Sequence, residues 1–424
     1  MNEIEVKGLN EVIYNTKLDN GLEVYLWNKE NSHSFYSTLS VKYGSLDANF
    51  KIGKKEYNMP YGIAHFLEHI KFNIDNKTTA HDLFNNRGCE TNAFTTFDYT
   101  NYQVMGNNNP LENTLLLLDF VQNNFFTKKL INKERGIIIS EANMGYDNPY
   151  MRSLYEHLSN VFKREECSKF ITGDESDIKE ISIEDIETIF NAYYHPENCF
   201  LVVTGNFNPY EMIAAIKDNQ SKKDFGKYLN PFRIKKNEPK KVIKDYHELE
   251  AGVKNNKIRV SIKLSLQDFK EVDLYEMMIY TKLILKANFG DSSNFKNELL
   301  AKELVYDMSY NVNKMDEFLM LTITATTKYK EEILDRIYEK LDNLVIDEAD
   351  FKRALNVLIA TTILDYEDIE VVNDTIQEEL IYQGKVYFNK KEIIEKINYK
   401  IAIDIMNKIN FKNRTTTVIV PITQ

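Results

Sequence analysis

The sequence predicts an α+β protein of two homologous domains, each a mainly antiparallel sheet with helices packed on one face. Three observations lead there. Strand-like and helix-like stretches are mixed rather than alternating one by one. A chain of 424 residues is too long for one ordinary core. The order of elements in the first half also recurs, loosely, in the second.

Taken in order, YNTKLDNGLEVYLWNK reads as two strands around the turn Asp19-Asn20-Gly21. Leu22, Val24 and Leu26 alternate with Glu23, Tyr25 and Trp27, the pattern of a strand with two distinguishable faces. SFYSTLSVKYGS alternates again and Gly44 ends it. In MPYGIAHFLEHIKF, Pro60 suits a first helical turn, and after Gly62 nothing interrupts a helix. TTAHDLFNNRGCETNAFTTFDYTNYQV passes from a short helix through Gly88 into strand, and NPLENTLLLLDFVQNNFF has the apolar density of a buried helix. NKERGIIISE continues as helix toward MRSLYEHLSNVF. SIEDIETIFNAYY is a further helix, with Ser182 and Asp185 at capping-box spacing. CFLVVTGNF closes the half as an apolar strand.

Residues 222–245 are Lys-rich, contain Pro231 and Pro239 and lack any period, which marks a linker between domains at 1–221 and 246–424. In the second half, FLMLTITATTKYKEEILDRIYEKL repeats the strand-then-helix order of CFLVVTGNFNPYEMIAAIK. DEADFKRALNVLIATTILDYEDIE likewise parallels INKERGIIISEANMGYDNPYMRS.

Composition excludes several classes. Hydrophobic residues make up 43% and charged residues 28%, as in a globular protein. The net charge of −11 offers no basic field for nucleic acid or anionic membrane. No apolar run is long enough to span a bilayer. Cys89, Cys167 and Cys199 are too few and scattered for a disulfide framework. With no basic or apolar leader at the N-terminus, they read as reduced thiols in a cytoplasmic protein.

The chemistry centres on His65-Phe66-Leu67-Glu68-His69. Histidines four apart on a helix project from one face and can grip one ion. Glu68 stands within reach of a water on that ion. This HxxEH order inverts HExxH and is a zinc-peptidase signature. Two neutral imidazoles plus a carboxylate, with one position open, suit zinc. Downstream, Glu134 and Glu141 lie seven apart, about two helical turns, so both carboxylates share one helix face. The second half has no HxxEH, and its only histidine is His247. His81, His157 and His195 lack partner spacing and read as surface or core residues.

HFLEH, GCETNAFTTFDYTNY, ERGIIISE and YYHPENCFLVVTGNF together resemble the pitrilysin/insulinase family of zinc peptidases, which includes mitochondrial processing peptidases and bacterial relatives. The resemblance implies one Zn2+ per chain held by His65, His69 and Glu141, with Glu68 as catalytic base and Glu134 as an auxiliary carboxylate. It implies an edge strand at Asn92, Ala93, Phe94 and Thr95 on which a peptide substrate adds by main-chain hydrogen bonds. It implies that the chain is half of a clamshell, hydrolysing internal bonds of peptides or unfolded segments. The family's later domain carries an Arg and a Tyr seven residues apart that contact substrate. Here the Tyr is Tyr306, but the other position is Leu299. The resemblance implies a dimer, because the family's chamber needs four such domains; Leu299 fits a heterodimer with a homologous chain lacking the zinc motif, and a homodimer holding peptide by its edge strand alone stays open. The alternative is a non-catalytic partner subunit or a peptide-binding accessory protein.

Overall fold

The computed structural model describes residues 1–6, 9 and 11–422. It divides into two compact units. The first holds Met1–Asn143, Lys169–Lys235 and Leu364–Asn389, and the second Met144–Ser168, Lys236–Ile363 and Lys390–Gln424. One of the crossings, between Lys235 and Lys236, falls inside the stretch 222–245. That stretch is not wholly irregular. Phe232–Arg233 pairs with Asn49–Ile52, and the Arg233 guanidinium bridges Asp47 (Nε to Oδ1, 2.6 Å) and Asp98 (Nη1 to Oδ1, 3.0 Å).

In the first unit seven strands line up as Asn2–Val6, Glu11–Lys17, Glu23–Asn28, Cys199–Gly205, Phe35–Val41, Thr100–Gly106 and Glu90–Thr95. All neighbours are antiparallel except Glu23–Asn28 with Cys199–Gly205. The turn at Asp19-Asn20-Gly21 forms as its residues dictate. Gly21 has φ +90°, and the Asn20 side-chain oxygen accepts from the Leu22 N–H. The alternation seen in the sequence sorts two cores. Val24, Leu26, Leu201 and Val203 face the larger one, built on the helices Ile63–Lys71, Pro110–Gln122, Lys128–Asp147, Ile183–Tyr193 and Pro209–Ser221.

Tyr25, Trp27, Phe200 and Val202 face the other way, against Tyr366 and against Val372, Ile376 and Leu380 of the helix Ile369–Tyr382. Helices therefore cover both faces of this sheet, where the sequence suggested one. The reason is visible in Cys199–Gly205, which is buried at every position and needs cover on both sides. Polar side chains on that second face pair with one another and with the strand backbone. Thr38 Oγ1 donates to Asn373 Oδ1 (2.6 Å), and Asn373 Nδ2 donates to the carbonyls of Tyr36 and Val202.

The second unit has five strands in the order Tyr246–Ala251, Arg414–Pro421, Asn256–Ser265, Phe318–Thr327 and Asp307–Met315, with only the first pair parallel. The helices Leu274–Phe289, Asn294–Ala301, Lys330–Asp342 and Tyr399–Lys408 build its core. The helix Pro149–Val161 packs on the opposite face. There His157 bonds Thr417 Oγ1 (2.9 Å) through Nδ1 and Ser261 Oγ (2.7 Å) through Nε2. The repeat seen in the sequence thus has a particular form. Each half of the chain contributes the helix after its long helix to the sheet of the other half. Among the described residues no helix is long and apolar enough to cross a membrane.

Candidate active site

The motif helix runs Ile63–Lys71. It starts later than Pro60 suggested, because Gly62 occupies the N-cap with φ 85°. A side chain there would be strained, and a Cβ would also lie 2.2 Å from the Thr172 carbonyl oxygen. Phe66 and Leu67 are wholly buried and fix the helix's rotation, which turns His65 and His69 to one side. Their rings lie 4.6 Å apart between centroids.

The second helix, Lys128–Asp147, is held by Ile131, Ile138 and Ala142, all in the core, with Arg135 donating to the carbonyls of Ile178 and Ile181. Ile137, its neighbour in sequence, is exposed. This rotation carries Glu134 and Glu141 to the histidines. Glu141 Oε1 lies 3.5 Å from His65 Nε2, and its Oε2 lies 3.4 Å from His69 Nε2. Glu134 Oε2 instead faces the other ring nitrogen, His69 Nδ1, at 3.7 Å. One ligand atom each from His65, His69 and Glu141 lies within 4.8 Å of the others, the one such group among the described residues.

Electrostatics follow from burial and these neighbours. Burial pulls the His65 imidazole down to about 4, with the His69 charge adding to it. Burial opposes charging of His69 too, but the facing Glu134 and Glu141 carboxylates and the Glu68 charge outweigh it and raise His69 to about 9. Hydrogen bonding to His69 lowers Glu141, and overcomes burial to lower Glu134. Glu68 is 7% exposed, and burial raises it to about 7 against the pull of a hydrogen bond from Thr95. Without metal the cluster thus keeps a proton on His69 between two carboxylates. The donor set, two imidazole nitrogens and a carboxylate oxygen converging at this range, fits zinc.

The stretch Asn92, Ala93, Phe94 and Thr95 lies in Glu90–Thr95, the outermost strand of the seven-stranded sheet. Asn92 and Phe94 point outward, and the Ala93 N–H donates to the Asn92 side-chain oxygen at 2.9 Å. Thr95 turns inward, and its hydroxyl donates to Glu68 Oε2 at 2.6 Å. Sequence reasoning placed Thr95 with the peptide and missed this contact. Tyr306 belongs to the second unit, where it is 55% exposed beside Lys328, while Leu299 is fully buried in Asn294–Ala301. His81 stacks on Phe72, His195 accepts from the Glu197 N–H, and all three cysteines are buried free thiols.

A protein of Bacillus subtilis strain 168 named an uncharacterized zinc protease, YmfH, is 34% identical over 328 residues, covering 76% of this chain and 73% of that one. Residues 23–174 match the family model for insulinase, peptidase family M16, and residues 180–358 that for the peptidase M16 inactive domain. The chain belongs to the insulinase family, peptidase family M16. The inactive-domain match falls largely on the half without HxxEH. Two further proteins match over nearly the whole length. The mitochondrial-processing peptidase subunit beta of Neurospora crassa is 23% identical over 93% of this chain and 84% of its own. The crystal structure of an M16-like peptidase from Alicyclobacillus acidocaldarius superposes with a TM-score of 0.91 at 26% identity, covering 97% of this chain and 99% of that one.

Proposed function

We propose that the chain is a zinc-dependent endopeptidase that hydrolyses internal bonds of peptides or unfolded segments. One observation carries the reading: His65, His69 and Glu141 converge while Glu68, one residue from His69, stays buried and outside their set. His65, His69 and Glu141 would hold one Zn2+, and Glu134 would orient His69 through Nδ1. Bound zinc supplies Lewis acidity toward the scissile carbonyl and lowers the pKa of water into the neutral range. Glu68 takes a proton from the attacking water at Oε1, the oxygen Thr95 does not occupy, and returns it to the leaving amine. Burial raises Glu68 to about 7 in the metal-free chain, and a bound cation would favour the ionised form that accepts the proton. The strand Glu90–Thr95 offers its free edge for an extended peptide, which requires little of the substrate's sequence.

The test is Glu68→Gln. It should retain one zinc per chain and lose peptide hydrolysis about 100- to 10,000-fold, because the base is not a ligand. Wild-type turnover in that variant would defeat the role given to Glu68.

The assembly we propose is a heterodimer with a homologous chain lacking the zinc motif. Its support is Leu299, a core residue where family members that hold substrate with this domain carry Arg, and a relative that is itself named a subunit. A homodimer holding peptide by the edge strand alone is the competing arrangement. Purification alone and with the nearest relative decides between them by mass and by rate. Full activity of the isolated chain, with no gain on adding the relative, would defeat the heterodimer.

A further inference from the structure

Glu68 is a buried carboxylate on a flexible stem, and the last torsion of a glutamate is broad and roughly two-fold rather than locked in a staggered well. Something must choose its orientation. Among the hydrogen bonds of the described residues, the one made to it comes from Thr95 Oγ1, at 2.6 Å to Oε2. Thr95 Oγ1 also lies 3.4 Å from Thr100 Oγ1, whose own hydrogen goes to the Tyr43 carbonyl at 3.0 Å, but that neutral hydroxyl is a more distant and weaker acceptor than the carboxylate oxygen at 2.6 Å. The Thr95 proton therefore goes to Glu68.

Thr95 itself has little freedom. It ends the edge strand paired opposite Thr100, and the turn that follows it is clamped. The carbonyls of Thr96 and Phe97 accept from the Ser45 and Leu46 N–H groups, each at 3.0 Å. Arg233 ties Asp98 in the same turn to Asp47. The alternation of the strand turns Asn92 and Phe94 outward and Thr95 inward, so the Thr95 side chain serves the base and not the peptide.

From this we infer that Thr95 is a positioning residue for the base: its hydroxyl pins Glu68 Oε2 and leaves Oε1 oriented for proton transfer. The inference rests on the peptidase reading above. A misaligned base costs rate without costing binding.

The experiment compares the full chain, zinc-loaded, as wild type, Thr95→Val and Thr95→Ser. It measures kcat and KM on a peptide, binding of an uncleavable reduced-amide analogue of it, and zinc content. Thr95→Val keeps the side chain's shape and removes the donor. It should lower kcat about 10- to 100-fold, while KM, analogue binding and zinc content stay within about twofold. Thr95→Ser restores the donor and should restore kcat. Should Thr95→Val fail to fold, Thr95→Ala read against Thr95→Ser carries the same comparison. Unchanged kcat in the variants lacking the hydroxyl would overturn the inference. So would weakened analogue binding at wild-type kcat, which would return Thr95 to the peptide, or equal losses in the Ser and Val variants. A zinc-loaded wild type that cleaves no peptide would instead defeat the peptidase reading itself.

Discussion

Adding zinc to the metal-free chain should expel close to one proton from the protein's own side chains at pH 8, besides what the zinc-bound water gives up, and the structure says which one. His69, raised to about 9 by its two carboxylates, is about nine-tenths protonated at pH 8, yet must be neutral to ligate. His65, at about 4, is neutral already and releases nothing. Glu134 and Glu141, both lowered, are ionised already. Displacing the His69 proton at pH 7 costs about 2.7 kcal/mol, two pH units at about 1.36 kcal/mol each, or about 100-fold in apparent affinity. The His69 proton by itself should make apparent zinc affinity rise about tenfold per pH unit from 7 toward 9, a contribution that flattens above. Near pH 7 the proton count should rise further, because Glu68 titrates at about 7 and a nearby cation favours its ionised form. Calorimetric titration with zinc in buffers of different ionisation enthalpy reads the proton count directly. Glu134→Gln removes one support of the His69 proton and should reduce the count at pH 8. No proton release at pH 7 to 8, with zinc bound at His69, would refute this account of the site's charge.

Glu141→Gln should weaken zinc binding more than Glu134→Gln, whose orienting role is worth about 10- to 100-fold, and competition with a chelating dye ranks them; the reverse order would make Glu134 the ligand. In the second unit, burial lowers His157 to about 3, so the folded chain keeps it neutral while the unfolded chain protonates it near 6.5. Its contribution is full above pH 6.5 and is lost as pH falls toward 3. Between pH 7 and 4.5 wild type should lose about 2.7 kcal/mol more stability than His157→Gln, by urea melts; parallel profiles would contradict this. Gly62→Ala meets both a positive φ and the Thr172 carbonyl, and should cost about 2 kcal/mol or more. Gly53→Ala, at φ 57° with nothing within 4 Å, should cost about half that, and equal melting temperatures would remove the steric argument.

Much of this protein is written in short-range pattern. The four-residue step between His65 and His69 puts both rings on one face of any helix, and seven residues do the same for Glu134 and Glu141. The Ser182 capping box closes as its spacing requires, with Asp185 Oδ2 accepting from the Ser182 N–H at 2.9 Å. The turn at Asn20-Gly21 is equally local. Such features need only neighbouring residues, so periodicity and side-chain chemistry suffice to read them.

What periodicity does not encode is the rotation and crossing of elements distant in the chain. Two carboxylates on one face are equivalent in sequence. Only the packing of Lys128–Asp147 beside Ile63–Lys71 turns Glu141 to the Nε2 atoms and Glu134 to Nδ1. Thr95 read as one more residue of an edge strand, until the pairing of that strand aimed its hydroxyl at a glutamate twenty-seven positions earlier. The second apolar face of the first sheet was legible in Tyr25 and Trp27, but its cover, Ile369–Tyr382, arrives from more than three hundred residues away. An alternating strand states that a face must be buried and leaves open what buries it, because that depends on long-range contacts settled only when the whole chain folds.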